Sequence, residues 1–119
     1  MKTILVVDDE LNVRQLIAET MADEGYKVKV AGDGFEALEI IENEPIDLVI
    51  LDIKMPKLDG LEAIGKIREF KRELPVILHT AYGDFKTRDY RTWGADYIIA
   101  KSPVLDELLE AINNIFSKM

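Results

Sequence analysis

Ile4-Leu5-Val6-Val7-Asp8-Asp9 is a short apolar run that ends in two carboxylates, and Leu48-Val49-Ile50-Leu51-Asp52 repeats the pattern with one. Continuous runs of valine, isoleucine and leucine are typical of parallel strands that are buried on both faces. The carboxyl ends of such strands meet at the edge where open α/β sheets bind their ligands. Three acids gathered there repel one another unless a cation holds them, so the pattern predicts a metal site.

Five apolar segments alternate with amphipathic segments along the chain. The strands are predicted at 3–8, 27–31, 47–52, 75–79 and 96–100. Short connections between alternating strands and helices imply parallel strands with right-handed crossovers, and hence one α/β domain over residues 1–119. The second segment alternates charged and apolar residues (Lys27-Val28-Lys29-Val30), which is typical of an edge strand with one side in water.

The helical segments differ in how clearly they are marked. Glu24-Gly25 ends the first, Gly34 opens the second, and a long apolar stripe from Leu105 to Phe116 predicts the last. The segment 84–93 carries three aromatic residues but no aliphatic stripe. We therefore expect a short, mobile or partly exposed fourth helix there.

Composition excludes several classes of function. The 119 residues carry a net charge of −8, which argues against a surface for nucleic acid or anionic membranes. The absence of cysteine excludes disulfides and thiolate metal sites. No apolar stretch approaches the ~20 residues of a membrane span. Because Met1-Lys2-Thr3 runs directly into a strand, we expect no signal peptide and a cytoplasmic protein. The chain ends inside a helical pattern, so we expect no attached output domain.

Two further polar residues end predicted strands, Thr80 after the fourth and Lys101 after the fifth. Alone, each has a plain explanation, a hydroxyl that caps a turn and a snorkelling lysine. Together with Asp8, Asp9 and Asp52 they indicate a site for a phosphoryl group. Hard oxygen ligands favour Mg²⁺, and a lysine with a divalent cation neutralises phosphoryl oxygens. A carboxylate between them can act as a nucleophile and form an acyl phosphate.

These residues resemble the receiver domain of two-component response regulators, and the resemblance covers the whole chain. The motifs that carry it are Val7-Asp8-Asp9-Glu10, the segment from Asp52 to Gly60, Thr80-Ala81-Tyr82-Gly83, Gly94-Ala95-Asp96 and Lys101. The resemblance implies a flavodoxin-like (βα)₅ three-layer fold, whose five-stranded parallel sheet has the order 2-1-3-4-5. It also implies that Asp59-Gly60 starts the third helix.

The resemblance implies a phosphorylation switch. Asp52 would accept a phosphoryl group from a histidine kinase or a histidine phosphotransfer protein. Lys101 would pair with that group, and Thr80 would be the switch hydroxyl that moves to it. The result would be a changed surface on the fourth and fifth strand–helix units (the 4–5 face), which meets a downstream protein target. Such a domain catalyses only its own phosphorylation and dephosphorylation, so we do not expect an enzyme.

The resemblance also implies a set of ligands for Mg²⁺. Asp9, Asp52 and the carbonyl of Lys54 would ligate the ion directly, while Asp8 would act mainly through water. The side chains of Lys54 and Tyr82 are either plain surface groups or tune the attack of water on the acyl phosphate, and we favour the first. His79, the only histidine, is expected to point into helix packing rather than to donate phosphoryl groups.

Three departures from the family pattern lie in the last third of the chain. The spacing from Thr80 to Gly94 is one residue short. Ile98 stands where the family has an aromatic switch, and the preceding Tyr97 would face the other side of the strand. The lysine is followed by Ser102-Pro103 instead of proline, which leaves the isomer of the Lys101–Ser102 bond open. We expect an ordinary phosphorylation site with an unusual readout.

Four functions compete. The first is a stand-alone phosphoacceptor, monomeric or weakly dimeric through the 4–5 face. The second is a receiver from a longer DNA-binding regulator or hybrid kinase. The third is a phosphohydrolase with an aspartate nucleophile, but the Asp-x-Asp pattern of those enzymes does not follow the first strand. The fourth, a flavodoxin, is disfavoured because acids stand where a phosphate loop needs glycine and hydroxyl residues.

Overall fold

The computed structural model describes residues 1–55, 57–81 and 93–119. In this part of the chain five strands form one sheet: β1 (Thr3–Val7), β2 (Lys27–Ala31), β3 (Leu48–Leu51), β4 (Val76–Thr80) and β5 (Tyr97–Ala100). The helices are α1 (Leu11–Asp23), α2 (Gly34–Asn43), α3 (Gly60–Phe70) and α4 (Asp106–Ser117). All pairings are parallel, in the order β2-β1-β3-β4-β5, which confirms the predicted flavodoxin-like fold.

The elements agree closely with those predicted. Each strand boundary lies within one residue of its expected position. Strand β2 lies at an edge of the sheet, where Lys27 and Val30 are exposed and Ala31 is buried. The predicted fourth helix at 84–93 lies outside the described residues, apart from Trp93. No described helix has the length and hydropathy that crossing a membrane requires.

Helices cover both faces of the sheet, and each face has its own core. One core lies under α2 and α3 and the other under α1 and α4, so β1, β3 and β4 are buried from both sides, as their apolar runs predict. The first core contains Leu5, Val7, Val49, Leu51, Leu78, Ile41 and Ile64. The second contains Ile4, Val6, Leu48, Ile50, Ile77, Ile17 and Ile112.

Local chemistry sets the helix ends. Gly25 has a φ of 96° and follows the end of α1, where the amide of Tyr26 donates to the carbonyl of Met21 at 3.2 Å. This left-handed turn is the one that glycine adopts without strain. Asp33 and Asp59 cap α2 and α3, and each accepts the amide three residues on at 2.9 Å. The start of α3 after Asp59 agrees with the prediction.

Arg68 joins the end of α3 to two neighbouring loops. Its guanidinium donates to the carbonyl of Gly94 at 3.0 Å, to that of Leu74 at 2.6 Å and to that of Lys71 at 3.1 Å. It also lies 3.7 Å from a carboxylate oxygen of Asp96. The planar fork of arginine suits such a site, because its donors point in fixed directions toward several acceptors at once.

We expect Arg68→Ala to lower the free energy of unfolding by about 2 kcal/mol, because partly buried carbonyls lose their donors. Urea denaturation measures the change. Arg68→Lys restores only part of the loss, since one ammonium cannot replace the fork. Lys66→Ala, on the exposed side of the same helix, is the control and changes little. An equal loss in Arg68→Ala and Lys66→Ala would contradict this role.

Candidate functional site

The pairing of β1 with β3 brings the predicted acids together. Val7 lies opposite Leu51 in the parallel register, so Asp8 and Asp52 follow side by side at the carboxyl edge. The amide of Asp52 donates to the carbonyl of Val7 at 3.0 Å, which fixes this alignment. One oxygen from each of Asp8, Asp9 and Asp52 lies within 4.8 Å of the others. The two strand ends therefore build one cluster of three carboxylates.

Lys101 enters this cluster from the end of β5. Its Nζ lies 3.0 Å from Asp8 Oδ2 and 3.0 Å from Asp52 Oδ2, so one ammonium bridges two carboxylates. The backbone of Lys101 is held by a 2.7 Å hydrogen bond from its amide to the carbonyl of Thr80. The ends of four neighbouring strands thus meet at the site, which is the convergence that the sequence predicts.

The two acids of the first strand have different surroundings. Asp8 is 1% exposed, and its Oδ1 accepts the amide of Glu10 at 2.9 Å while its Oδ2 contacts Lys101. Asp9 is exposed. Asp9 and Asp52, but not Asp8, line a cavity of about 290 Å³, whose other wall residues are Glu10, Lys54, Ala81 and Lys101. Asp8 therefore supports the loop and the lysine, whereas Asp9 and Asp52 face the open space.

Burial and the contacts of Lys101 together set the protonation of the site. Burial raises the pKa of Asp52, and the hydrogen bond and charge of Lys101 oppose this effect without reversing it. For Lys101 burial acts to lower the pKa, but hydrogen bonds to Asp8 and Asp52 outweigh it and raise the pKa above its usual value. The lysine is thus firmly protonated, while the charge on Asp52 is held less favourably than in water.

The donor set fits Mg²⁺. Its ligands are carboxylate oxygens without a thiolate or imidazole, and Mg²⁺ is commonly held by one or two carboxylates while it keeps several waters. The cavity beside Asp9 and Asp52 leaves room for those waters and for a phosphoryl group. Lys54, whose carbonyl was predicted as a further ligand, lies on the same wall with its side chain exposed. The individual roles of the ligands remain predictions.

The loop after Asp52 is held by a close backbone approach. The amide of Gly60 donates to the carbonyl of Ile53 at 2.7 Å. A Cβ at Gly60 would clash with the carbonyl oxygen of Asp52 and would lie 2.8 Å from the Cα of Ile53. Within this loop Lys57 has a φ of 70°, in the left-handed region that side chains disfavour. The glycine is therefore required by the position of Asp52 itself.

The structure places the predicted switch residues on defined faces of the sheet. Thr80 is fully buried at the end of β4, two residues after Leu78 of the first core. Ile98 packs against that same core, whereas Tyr97 packs against the other. Tyr97 therefore lies on the face opposite to Thr80, as strand alternation predicts. Tyr82 lies outside the described residues.

Two remaining questions from the sequence have structural answers. The described peptide bonds are all trans, including that between Lys101 and Ser102. His79 is 3% exposed and its Nδ1 has no hydrogen-bond partner among the described residues. Burial, assisted by the charge of Lys101, lowers the pKa of His79 to about 4, so the ring is neutral at physiological pH. Such a buried ring agrees with the expected packing role and not with phosphoryl donation.

Glu10 belongs to the motif Val7-Asp8-Asp9-Glu10, but the sequence alone gives it no role at the site. Its Oε1 lies 3.5 Å from the Nζ of Lys101, and its side chain is 64% exposed at the cavity wall. The sequence placed Glu10 directly after the acid pair, but a residue at the start of a helix has no periodicity that indicates the direction of its side chain. Only the position of Lys101, 91 residues away, reveals the contact.

Comparison with known proteins identifies this architecture. The family model "Response regulator receiver domain" matches residues 4–113. The chain belongs to this family. It is 36% identical over 110 residues to sporulation initiation phosphotransferase F of Bacillus subtilis, an overlap that covers 92% of the chain and 89% of that protein. It is 41% identical over 107 residues to response regulator MprA of Mycobacterium sp. (strain KMS), covering 89% of the chain but 46% of MprA. The chain thus spans less than half the length of this relative.

Solved structures of receivers superpose closely. The response regulator TrrA of Thermotoga maritima, in complex with Mg²⁺ and beryllium fluoride, is 46% identical with a TM-score of 0.89 and covers 96% of this chain and 98% of its own. TrrA bound to the histidine kinase ThkA gives a TM-score of 0.87 at 46% identity and covers 96% of this chain and 97% of its own. The likeness therefore extends over nearly the whole chain.

Replacement of Gly60 by alanine should lower the free energy of unfolding by about 2 kcal/mol, because the added Cβ forces the Asp52 loop away from α3. Gly65→Ala is a matched control in the same helix. A Cβ at Gly65 meets nothing within 4 Å, so this change stabilises the helix by about 0.5–1 kcal/mol. Urea denaturation compares the two. Equal effects in both variants would show that the close approach at Gly60 is unimportant.

Asp52→Asn should stabilise the metal-free receiver increasingly as the pH rises. Burial raises the pKa of Asp52 above its usual 3.8, so the folded state favours the protonated acid. This contribution is complete below pH 3.8 and is lost as the pH rises through the raised value. Asparagine mimics the neutral acid at every pH, and Lys101 keeps Asp8 as a partner.

The measurement is urea denaturation of both proteins in EDTA between pH 4.5 and 7.5. The stability difference in favour of Asp52→Asn should grow toward pH 7.5. If the difference instead turned against Asp52→Asn at high pH, the attraction of Lys101 would outweigh the burial of the carboxylate.

Proposed function

We propose that this chain is the phosphoacceptor of a two-component system and that Asp52 takes the phosphoryl group from a phosphohistidine. The observation that carries the proposal is the contact of one protonated lysine, Lys101, with both Asp8 and Asp52 beside an open cavity. An oxygen of Asp52 attacks the phosphorus and forms an O–P bond. The P–N bond to the donor imidazole breaks, and its electron pair returns to the nitrogen.

The residues around Asp52 support this transfer in distinct ways. Lys101 is positioned to pair with the phosphoryl oxygens during transfer, since its ammonium already lies 3.0 Å from the attacking carboxylate. Asp9, Asp52 and the Lys54 carbonyl would hold Mg²⁺, with Asp8 acting mainly through water. When bound, the ion would neutralise charge on the phosphoryl oxygens. TrrA binds Mg²⁺ together with beryllium fluoride, whose shape resembles a phosphoryl group, and this likeness supports the assignment.

The readout is proposed to run from Thr80 to the 4–5 face. A phosphoryl group adds a dianion with strong acceptor oxygens, and Thr80 and Lys101 are the donors expected to move toward it. Movement of Thr80 vacates space on its own side of the sheet. The residue of β5 that packs on that side is Ile98, while Tyr97 packs against the other core. We therefore propose an aliphatic residue, Ile98, in place of the usual aromatic switch.

The proposed donor is a histidine kinase or a phosphotransfer protein. The solved complex of TrrA with the kinase ThkA supports a kinase, because the two receivers share 46% of their residues. The downstream target is proposed to be a protein that meets the 4–5 face, either as a monomer contact or through a weak dimer. We also propose the cytoplasm as the location, with which the absence of cysteine is compatible.

Two arrangements of the whole protein have support. Overlap with 89% of phosphotransferase F supports a single receiver domain over residues 1–119. The match to less than half of MprA supports the alternative, a receiver that forms part of a longer regulator. The chemistry proposed for Asp52 is the same in both cases.

Phosphorylation of Asp52 is tested by incubation with acetyl phosphate and Mg²⁺, followed by intact mass measurement. We expect the wild-type chain to gain one phosphoryl group. It should gain none when EDTA is present during the incubation to remove the metal. Asp52→Asn should gain nothing, because the amide is not nucleophilic enough to form the acyl phosphate. Asp23→Asn, an exposed aspartate at the end of α1, is the matched control and should behave like wild type. A mass gain that survives Asp52→Asn would overturn the assignment.

A further inference from the structure

Glu10 occupies the N-cap position of α1 but does not cap the helix. Its φ of −89° and ψ of 113° are those of a normal N-cap, yet its side chain makes no capping hydrogen bond. Asp33 and Asp59 show the contrast, because both cap their helices at 2.9 Å. Glutamate is not among the residues that N-cap positions favour. Glu10 therefore contributes no capping hydrogen bond to α1, and only the interaction of its charge with the helix dipole favours it there.

The side chain of Glu10 reaches the phosphorylation site instead. Its Oε1 lies 3.5 Å from the Nζ of Lys101, which already contacts Asp8 and Asp52 at 3.0 Å. In the pairs of Lys101 with Asp8 and Asp52 the carboxylates are buried. The side chain of Glu10, by contrast, is 64% exposed on the wall of the cavity. A pair at 3.5 Å with so exposed a partner binds weakly. The main effect of Glu10 is thus its negative charge at the mouth of the site.

The charge of Glu10 determines the net charge of the site that an incoming phosphodonor approaches. Asp8, Asp9, Asp52 and Glu10 are four carboxylates, and the lysines among them are Lys54 and Lys101. Among the described residues of the site this leaves two negative charges, which one divalent cation neutralises. Without Glu10 the metal-loaded mouth would carry one positive charge and would attract phosphate dianions.

We propose that Glu10 is a specificity-determining residue that disfavours small anionic phosphodonors at this site. The inference rests on the proposed function of Asp52. A small acyl phosphate must cross the field of Glu10 without docking contacts outside the site. A phosphohistidine arrives on a partner protein, whose docking contacts supply binding energy that a single mouth charge does not cancel. Glu10 therefore limits phosphorylation by metabolic acyl phosphates and favours the protein donor.

The size of the effect follows from Coulomb's law. One exposed charge acting on a dianion several ångströms away in water changes its local concentration by about two- to fourfold at low salt. Since the screening length falls to about 3 Å at 1 M salt, the effect should vanish there. A donor with less negative charge should feel less of it. These two dependences separate a field effect from a change in the position of Lys101.

The experiment compares wild type, Glu10→Gln and Glu42→Gln by the initial rate of mass gain with Mg²⁺. Acetyl phosphate is the donor with the larger charge, and phosphoramidate, which carries less net negative charge at neutral pH, is the second donor. Glu42 is exposed on α2 and does not line the cavity, so its variant loses the same charge outside the site. We expect Glu10→Gln to speed phosphorylation by acetyl phosphate about two- to fourfold at low salt, to speed that by phosphoramidate less, and to show no gain at 1 M salt.

Several outcomes would overturn the inference. These are a Glu10→Gln rate equal to or below wild type, an equal gain with both donors, or a gain that persists at 1 M salt. A gain of the same size in Glu42→Gln would show a general effect of net charge instead. Urea denaturation of Glu10→Gln should give a transition close to that of wild type, because the side chain makes no capping hydrogen bond and loses only weak charge interactions. If wild type itself gained no phosphoryl group from either donor, the proposed function of Asp52 would fail and not merely the role of Glu10.

Discussion

The contact of Lys101 with two buried carboxylates is the interaction on which the site depends. Asp8 and Asp52 are 1% and 4% exposed and lie at neighbouring strand ends, so their charges repel in a region with little water. The ammonium at 3.0 Å from both compensates this repulsion. The cost that remains is desolvation, because burial raises the pKa of Asp52 more than the hydrogen bond and charge of Lys101 lower it. Additional positive charge would therefore stabilise the ionised form of Asp52, which is the physical basis for the binding of a divalent cation at this site.

The backbone fixes the geometry that makes this compensation possible. The parallel register of β1 and β3 sets Asp8 beside Asp52, and the close approach of Gly60 holds the loop that follows. The left-handed Lys57 lies within the same loop. Disfavoured backbone conformations persist only where the surrounding structure determines them, and they gather at functional sites. The disfavoured backbone conformation of Lys57 is such a case, because it lies in the loop that follows Asp52.

Sequence patterns predicted most of the fold because they are local. Apolar runs located the five strands to within one residue, and alternation of charged and apolar residues marked β2 as an edge. Asp33 also has a local signal, an acid three residues before Glu36 at the start of a helical segment. Arg68 was different. It lies on the inner face of α3, and its acceptors near residues 71–74 and 94–96 belong to loops that no helical period describes.

The sequence by itself determined which residues end which strand, because side-chain periodicity and turn chemistry are properties of neighbouring residues. It thereby assigned Asp8, Asp9, Asp52, Thr80 and Lys101 to one edge of the sheet. Only the tertiary structure decided how the charges divide there. Lys101 is 49 residues from Asp52 and 91 from Glu10 along the chain, yet its ammonium lies within 3.5 Å of oxygens on both. Such contacts depend on strand register and side-chain direction in three dimensions, and a one-dimensional pattern records neither.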